Sequence, residues 1–201
     1  MSGRETILAA IGRNRPSGPH PLPASPRFPQ PEEGGRISTF LRNFASMGGN
    51  VITGSPETDT IDLVKQKLGG SVICSATNEI AGNRGLEKVA KPRDLADVDV
   101  AVVRALLGVA ESGSLLFTEN ELVVNTLAYL AQHLMVLLDP ADIVSGLQDA
   151  YDRPEFHRAG YAVFHTGPSA TGDIEGVLIH GAKACGRSQL LSSRGEADHV
   201  R

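Results

Sequence analysis

Twice before residue 75 an amphipathic helical stripe stops at a Gly-Gly pair and a short apolar run follows. Ile37, Phe40, Leu41 and Phe44 share one helix face that ends at Gly48-Gly49, ahead of the strand-like Asn50-Val51-Ile52-Thr53. Thr60 to Leu68 repeats the pattern, with Ile61, Val64 and Leu68 inward, Gly69-Gly70 as the stop and Ser71 to Cys74 as the next strand. Helix, glycine turn and strand in alternation are the sequence form of βαβ units. They restrict the chain to an α/β fold with an open, mostly parallel sheet.

The later chain extends that pattern. Glu79 to Leu95 reads as loops around one short helix, and Val98 to Val103 as an apolar strand. Leu106 to Ala110 and Ser114 to Phe117 flank Glu111-Ser112-Gly113, which suggests a β-hairpin inserted midway. A helix around Leu122 to Leu130, a strand at His133 to Leu138 and a helix at Ala141 to Tyr151 follow. Tyr161 to His165 and Gln189 to Leu191 are the last strand candidates. Ahead of this α/β region, assigned to residues 36–201, stand a short helix within residues 1–13 and a Pro-rich linker at 14–35. The linker holds seven of the 12 prolines, a density that excludes helix and interior strand. Ile7, Leu8 and Ile11 share a face of the first helix, so it suits docking away from the main body or on a second copy in a homo-oligomer.

Charge and composition exclude several classes. A net charge of −4 gives no overall basic field for nucleic acid, and no apolar run approaches the roughly 20 residues of a membrane-spanning helix. The N-terminus leads into an amphipathic helix rather than the apolar core of a secretory signal, which points to the cytoplasm. Cys74 and Cys185 make no C-x-x-C pair, so cysteine ligation of an iron–sulfur cluster by this chain alone is excluded. Cys74 reads as a small buried hydrophobe and Cys185 as the more exposed thiol. The six histidines form no metal-ligand spacing, and no cofactor or metal is expected on this chain.

Two constellations can carry chemistry. In the proposed hairpin, Glu111, Ser112, Gly113 and Ser114 put a carboxylate and two hydroxyls beside a glycine that lets a ligand approach the backbone. The plain alternative is a tight turn with a solvated Glu111. Gly167-Pro168-Ser169-Ala170-Thr171-Gly172-Asp173-Ile174-Glu175 follows a strand and leads into a short helical pattern. There Gly167, Ser169 and Thr171 can hold a ligand at a strand's end, or Thr171, Asp173 and Glu175 simply serve the start of a helix. Neither a P-loop nor a dinucleotide fingerprint is present, no Gly-x-Ser-x-Gly elbow occurs, and no catalytic residue is assigned.

Together these segments resemble the lactate utilization protein C (YkgG-like) family, whose fold is the LUD domain. Val109-Ala110-Glu111-Ser112-Gly113-Ser114-Leu115, preceded by Ala96-Asp97-Val98, is similar to the family's Ala-Glu-Thr-Gly-Thr hairpin. His133-Leu134-Met135-Val136 with Asp142-Ile143-Val144 is similar to its next strand and helix. Residues 167–175 resemble its Gly-Pro-Ser-x-Thr-x-Asp-Ile-Glu signature, and the likeness runs from about Arg36 to Leu191. One departure stands out. Where the family shows Gly-x-His-Gly-Pro, this chain has Gly181-Ala182-Lys183-Ala184-Cys185-Gly186, so roles of that histidine and proline do not carry over.

The resemblance implies a fold like that of the sugar-isomerase, CoA-transferase and formyltetrahydrofolate cyclo-ligase group. It also implies a non-redox subunit or accessory protein in oxidation of L-lactate to pyruvate, beside partner proteins that carry the iron–sulfur clusters. A small anionic ligand near Ser112, Gly113, Gly167, Ser169 and Thr171 is the binding expectation. The alternative, from the fold group alone, is a stand-alone enzyme on a small carboxylate, acyl-CoA or sugar phosphate with Glu111 as base or nucleophile.

Overall fold

The computed structural model describes residues 2–19, 21, 23–24, 26, 33–52, 72–87, 89–167, 170–174, 177–180 and 187–192 of the 201-residue chain. The predicted helix at 60–68 with its Gly69-Gly70 stop, and the segment 181–186 with Cys185, lie outside the described residues.

Helix α1 (Gly3–Asn14) begins with a reciprocal cap. The Ser2 amide donates to Glu5 at 2.8 Å, and the Glu5 amide donates to the Ser2 hydroxyl at 3.4 Å. None of its residues is buried, and Ile7, Leu8 and Ile11 are at least half exposed. Helix α2 (Glu33–Ser46) is the reverse case. Phe40 and Phe44, one turn apart, stack at 5.8 Å and are fully buried. Gly48, at φ 88, ends it, and the Gly49 amide returns to the Phe44 carbonyl at 2.9 Å.

The larger sheet contains β1 (Asn50–Ile52), β2 (Ile73–Ser75), β3 (Val100–Arg104), β6 (His133–Leu138) and β11 (Arg187–Ser192). Its order is β1-β11-β6-β3-β2 and every pairing is parallel. Such a sheet needs apolar residues on both faces, and β3 and β6 supply them. Ala101, Val103, Leu134 and Val136 face the main core with Phe40 and Phe44, while Val100, Val102, Met135 and Leu137 join Ile52 and Ile73 on the other face.

The hairpin strands β4 (Leu107–Val109) and β5 (Ser114–Thr118) form where the sequence places them, antiparallel. They do not stay in the parallel sheet. With β7 (Ile143–Val144) and β8 (Ala162–His165) they build a second, mixed sheet of order β7-β4-β5-β8. One face, through Leu115, Phe117 and Ile143, shares the main core. The other, through Leu107, Val109, Leu116 and Val144, packs with Ala150, Phe156 and Phe164.

Three expectations change. The helix read at 122–130 is two short helices, α3 (Glu119–Leu122) and α4 (Leu127–Leu130). They part at Val123, whose φ of 59° belongs to a tight turn closed by a 2.5 Å bond from the Val124 amide to the Leu122 carbonyl. The helix read at 141–151 is a 3₁₀ turn (Pro140–Asp142) capped by Asp139, then β7, then α5 (Leu147–Tyr151). β-branched Ile143 and Val144 find a parallel partner in Gly108 and Val109, which outweighs helical spacing. A further helix, α6 (Pro154–Arg158), precedes β8. Finally, the helical reading of 171–174 is overturned. Thr171 and Asp173 lie in β9 (Ala170–Ile174), antiparallel to β10 (Val177–His180). A Thr-Gly-Asp run has poor helix propensity, and apolar Val177 to Ile179 offers it a strand partner.

Candidate functional site

The hairpin turn from Ala110 to Gly113 is held from three directions. The Ala110 and Glu111 amides donate to the carbonyls of Val144 and Ser145, at 2.9 and 3.0 Å. The Asn43 amide group, on α2, donates to the Ala110 and Glu111 carbonyls at 2.8 and 3.0 Å. The Gly113 amide closes the turn on the Val109 carbonyl at 2.9 Å. Gly113 has φ of 67°, and a Cβ there would lie 2.6 Å from the Asn43 carbonyl carbon, against the α2 backbone. Only glycine satisfies both constraints.

Gly167 repeats the arrangement at the end of β8. Its φ is 69°, and a Cβ would lie 3.0 Å from the Met47 carbonyl carbon and closer still to its oxygen. Two glycine bends far apart in sequence therefore rest on the C-terminal end of one helix.

The strand register completes the convergence. Leu115 pairs with His165, which sets Ser114 beside Thr166. The Ser114 hydroxyl lies 2.6 Å from that of Thr166 and 2.7 Å from that of Ser112. Ser114 itself is only 3% exposed. Three hydroxyls carry three protons and make two bonds with one another, and buried Ser114 spends its own proton within the row, so one O–H remains to be given outward at the Ser112 or the Thr166 end. An acceptor bound at one end would set the direction of the whole row.

Glu111 is exposed, but its carboxylate accepts the Leu147 amide at 3.1 Å, tying the turn to the start of α5. Of the residues expected at a site, Glu111, Ser112, Gly113, Ser114 and Gly167 are brought together. Thr171 and Asp173 lie in β9, and Ser169 and Glu175 lie outside the described residues. Sequence reasoning missed Asn43 and Thr166. Asn43 sits inside a helical stripe with no local sign of its role, whereas a hydroxyl residue abutting Gly167 was a usable signal.

A second polar group flanks the bend. His165 packs against Phe117 and Tyr129, with ring centroids at 6.3 and 6.4 Å. Burial holds its pKa below the ordinary 6.5, opposed by a backbone hydrogen bond at Gly167. The hydroxyls of Tyr129 and Tyr161 meet at 2.7 Å, and burial, then that bond, raise the Tyr129 pKa. Cys74 is fully buried in β2, and burial raises its thiol pKa, which makes it a poor nucleophile. Among the described residues no group of three or more His, Cys, Asp or Glu side chains is placed to hold a metal. No helix among them is long and apolar enough to cross a membrane.

Comparison with known proteins bears on the family and the fold. A model of the LUD domain matches residues 43–190. No curated protein matches the chain. Among solved structures, the crystal structure of a DUF162 family protein from Deinococcus radiodurans is similar, with a TM-score of 0.58 at 10% identity, over 80% of this chain and 98% of that one. At that identity the likeness concerns the fold.

Proposed function

The chain belongs to the LUD-domain family, a family associated with lactate utilization, and from that membership we propose that it is a non-redox component of a cytoplasmic L-lactate-oxidising system. In this reading the iron–sulfur clusters sit on partner proteins. The chain has two cysteines, too few for a four-thiolate cluster, and one of them, Cys74, is a core residue. Its own contribution is a ligand-holding rim made by the 110–113 turn and the Gly167 bend.

The observation that carries the rim is the hydroxyl row Ser112–Ser114–Thr166, which joins the two segments and keeps one O–H free for an acceptor such as a carboxylate or carbonyl oxygen. Glu111 serves the rim by fixing its edge to α5.

The test is genetic. Deleting the gene is expected to abolish growth on L-lactate as sole carbon source while leaving growth on pyruvate intact. Unchanged growth on L-lactate would overturn the proposal.

A further inference from the structure

The carboxyl edge of the parallel sheet carries a second arrangement, apart from the rim. Arg104 is the last residue of β3, and Ser75 the last of the neighbouring β2. Ligands of open parallel sheets bind outside this edge. Here a loop of bends, 76–80, curls over it and presents Thr77 and Glu79 to Arg104.

Three donors converge on the Glu79 carboxylate. Arg104 Nε donates to Oε2 at 2.9 Å, Arg104 Nη2 donates to Oε1, and the Thr77 hydroxyl donates to Oε2 at 2.7 Å. This side-on fork is the geometry with which a guanidinium recognises a planar carboxylate. The hydrogen bond from Arg104 is the chief reason the Glu79 pKa is lowered.

Thr77 is held by contacts that do not need the Glu79 side chain. The Glu79 backbone amide donates to Thr77 Oγ1 at 3.1 Å. The Ser75 hydroxyl donates to the Thr77 carbonyl at 3.0 Å and accepts from the Thr77 amide at 3.2 Å. Arg104 is fixed at its base by β3, whose preceding residues are fully buried. The occupant, by contrast, is half exposed and stands on a loop, and exposed ion pairs of this kind contribute little stability.

We propose that Arg104 and Thr77 form a seat for the carboxylate of a small organic acid, and that Glu79 fills the seat when no acid is bound. The incoming carboxylate accepts the same three hydrogen bonds as Glu79 swings into solvent. No bond is made or broken beyond these. The seat stands independently of the reading of the rim, since no residue is shared.

The experiment follows the Arg104 Nε–H resonance of the ¹⁵N-labelled full chain, assigned by its loss in Arg104→Lys. Sodium acetate and sodium L-lactate are titrated at ionic strength held constant with sodium chloride. The proposal expects a saturable shift with the organic acids and none with chloride alone. It expects Glu79→Ala to tighten binding about fivefold, the scale of an exposed ion pair, and Thr77→Val to weaken it in either background. It is overturned if neither the parent nor Glu79→Ala gives a saturable shift. It is equally overturned if Glu79→Ala only lowers the melting temperature with no gain in affinity, which would make the pair a loop staple. Inorganic phosphate binding more tightly than both acids would overturn the carboxylate assignment.

Discussion

Ser114 and Thr166, 52 positions apart, share a 2.6 Å hydroxyl contact where β5 meets β8. That contact joins the hairpin turn to the residue that leads into the Gly167 bend. Its environment is dry on the Ser114 side, so losing it is costly in a way that losing a surface hydroxyl is not.

Ser114→Ala therefore removes two hydrogen bonds at a buried position and is expected to destabilise the chain by about 1–2 kcal/mol. Thr166→Val should cost less than Ser114→Ala, because Thr166 is only half-buried. A double-mutant cycle in urea should show coupling of about 0.5–1 kcal/mol. Strictly additive effects would mean that the hydroxyls do not act as a row.

Gly113→Ala and Gly167→Ala each force a side chain into backbone at positive φ. Neither neighbouring group, the Asn43–Phe44 peptide or the Met47 carbonyl, is a flexible side-chain end. A loss of about 2–4 kcal/mol is expected for each, with the helix end or the bend displaced. Urea titration of each variant checks this, and a cost under about 1 kcal/mol would show that the bends are not pressed on α2.

Val123 holds a conformation that β-branched residues rarely adopt, at an exposed position. Relief of that strain should exceed the entropy glycine adds to the unfolded chain, so Val123→Gly is expected to stabilise by about 1 kcal/mol. A lowered melting temperature would contradict it.

His165 sets an acid-side limit on stability. Its folded pKa lies below the unfolded value of 6.5, so as pH falls through 6.5 the unfolded chain takes up a proton that the folded chain refuses. Stability then declines through the range below 6.5 until the folded pKa is passed. The lowered pKa values of Glu79 and Glu119 act later, since stability from depressed carboxylates is lost only as pH falls below about 4.5. His165→Phe, which keeps a ring against Phe117, should flatten the slope that sets in below pH 6.5 and leave the loss below 4.5. An unchanged slope would place the titrating group elsewhere.

How far the fold could be read from the chain follows from which signals are local. His133–Leu138 and the β3 run announce themselves because a strand buried on both faces must be apolar throughout. The hairpin does so through Gly113, whose turn needs positive φ. Ile143–Val144 carries no such mark. A two-residue strand has no period, and its partner in β4 is supplied by tertiary structure. The break at Val123 is equally invisible, since nothing in Leu-Val-Val-Asn forbids a helix. The site divides along the same line. Glu111, Ser112, Ser114 and Gly167 sit in motifs, whereas Asn43 acts across 67 positions through an amide of a kind common on helix surfaces. The second sheet escaped for this reason too, since apolar pattern does not tell which sheet a strand joins.

The most direct measurement is complementation of a deletion strain on L-lactate with the parent chain and with Ser114→Ala at matched protein level. Restored growth with the parent and none with the variant, though both chains are folded, is the result expected of a rim that holds a ligand. Equal growth with the two chains, or growth of the deletion strain by itself, would contradict it.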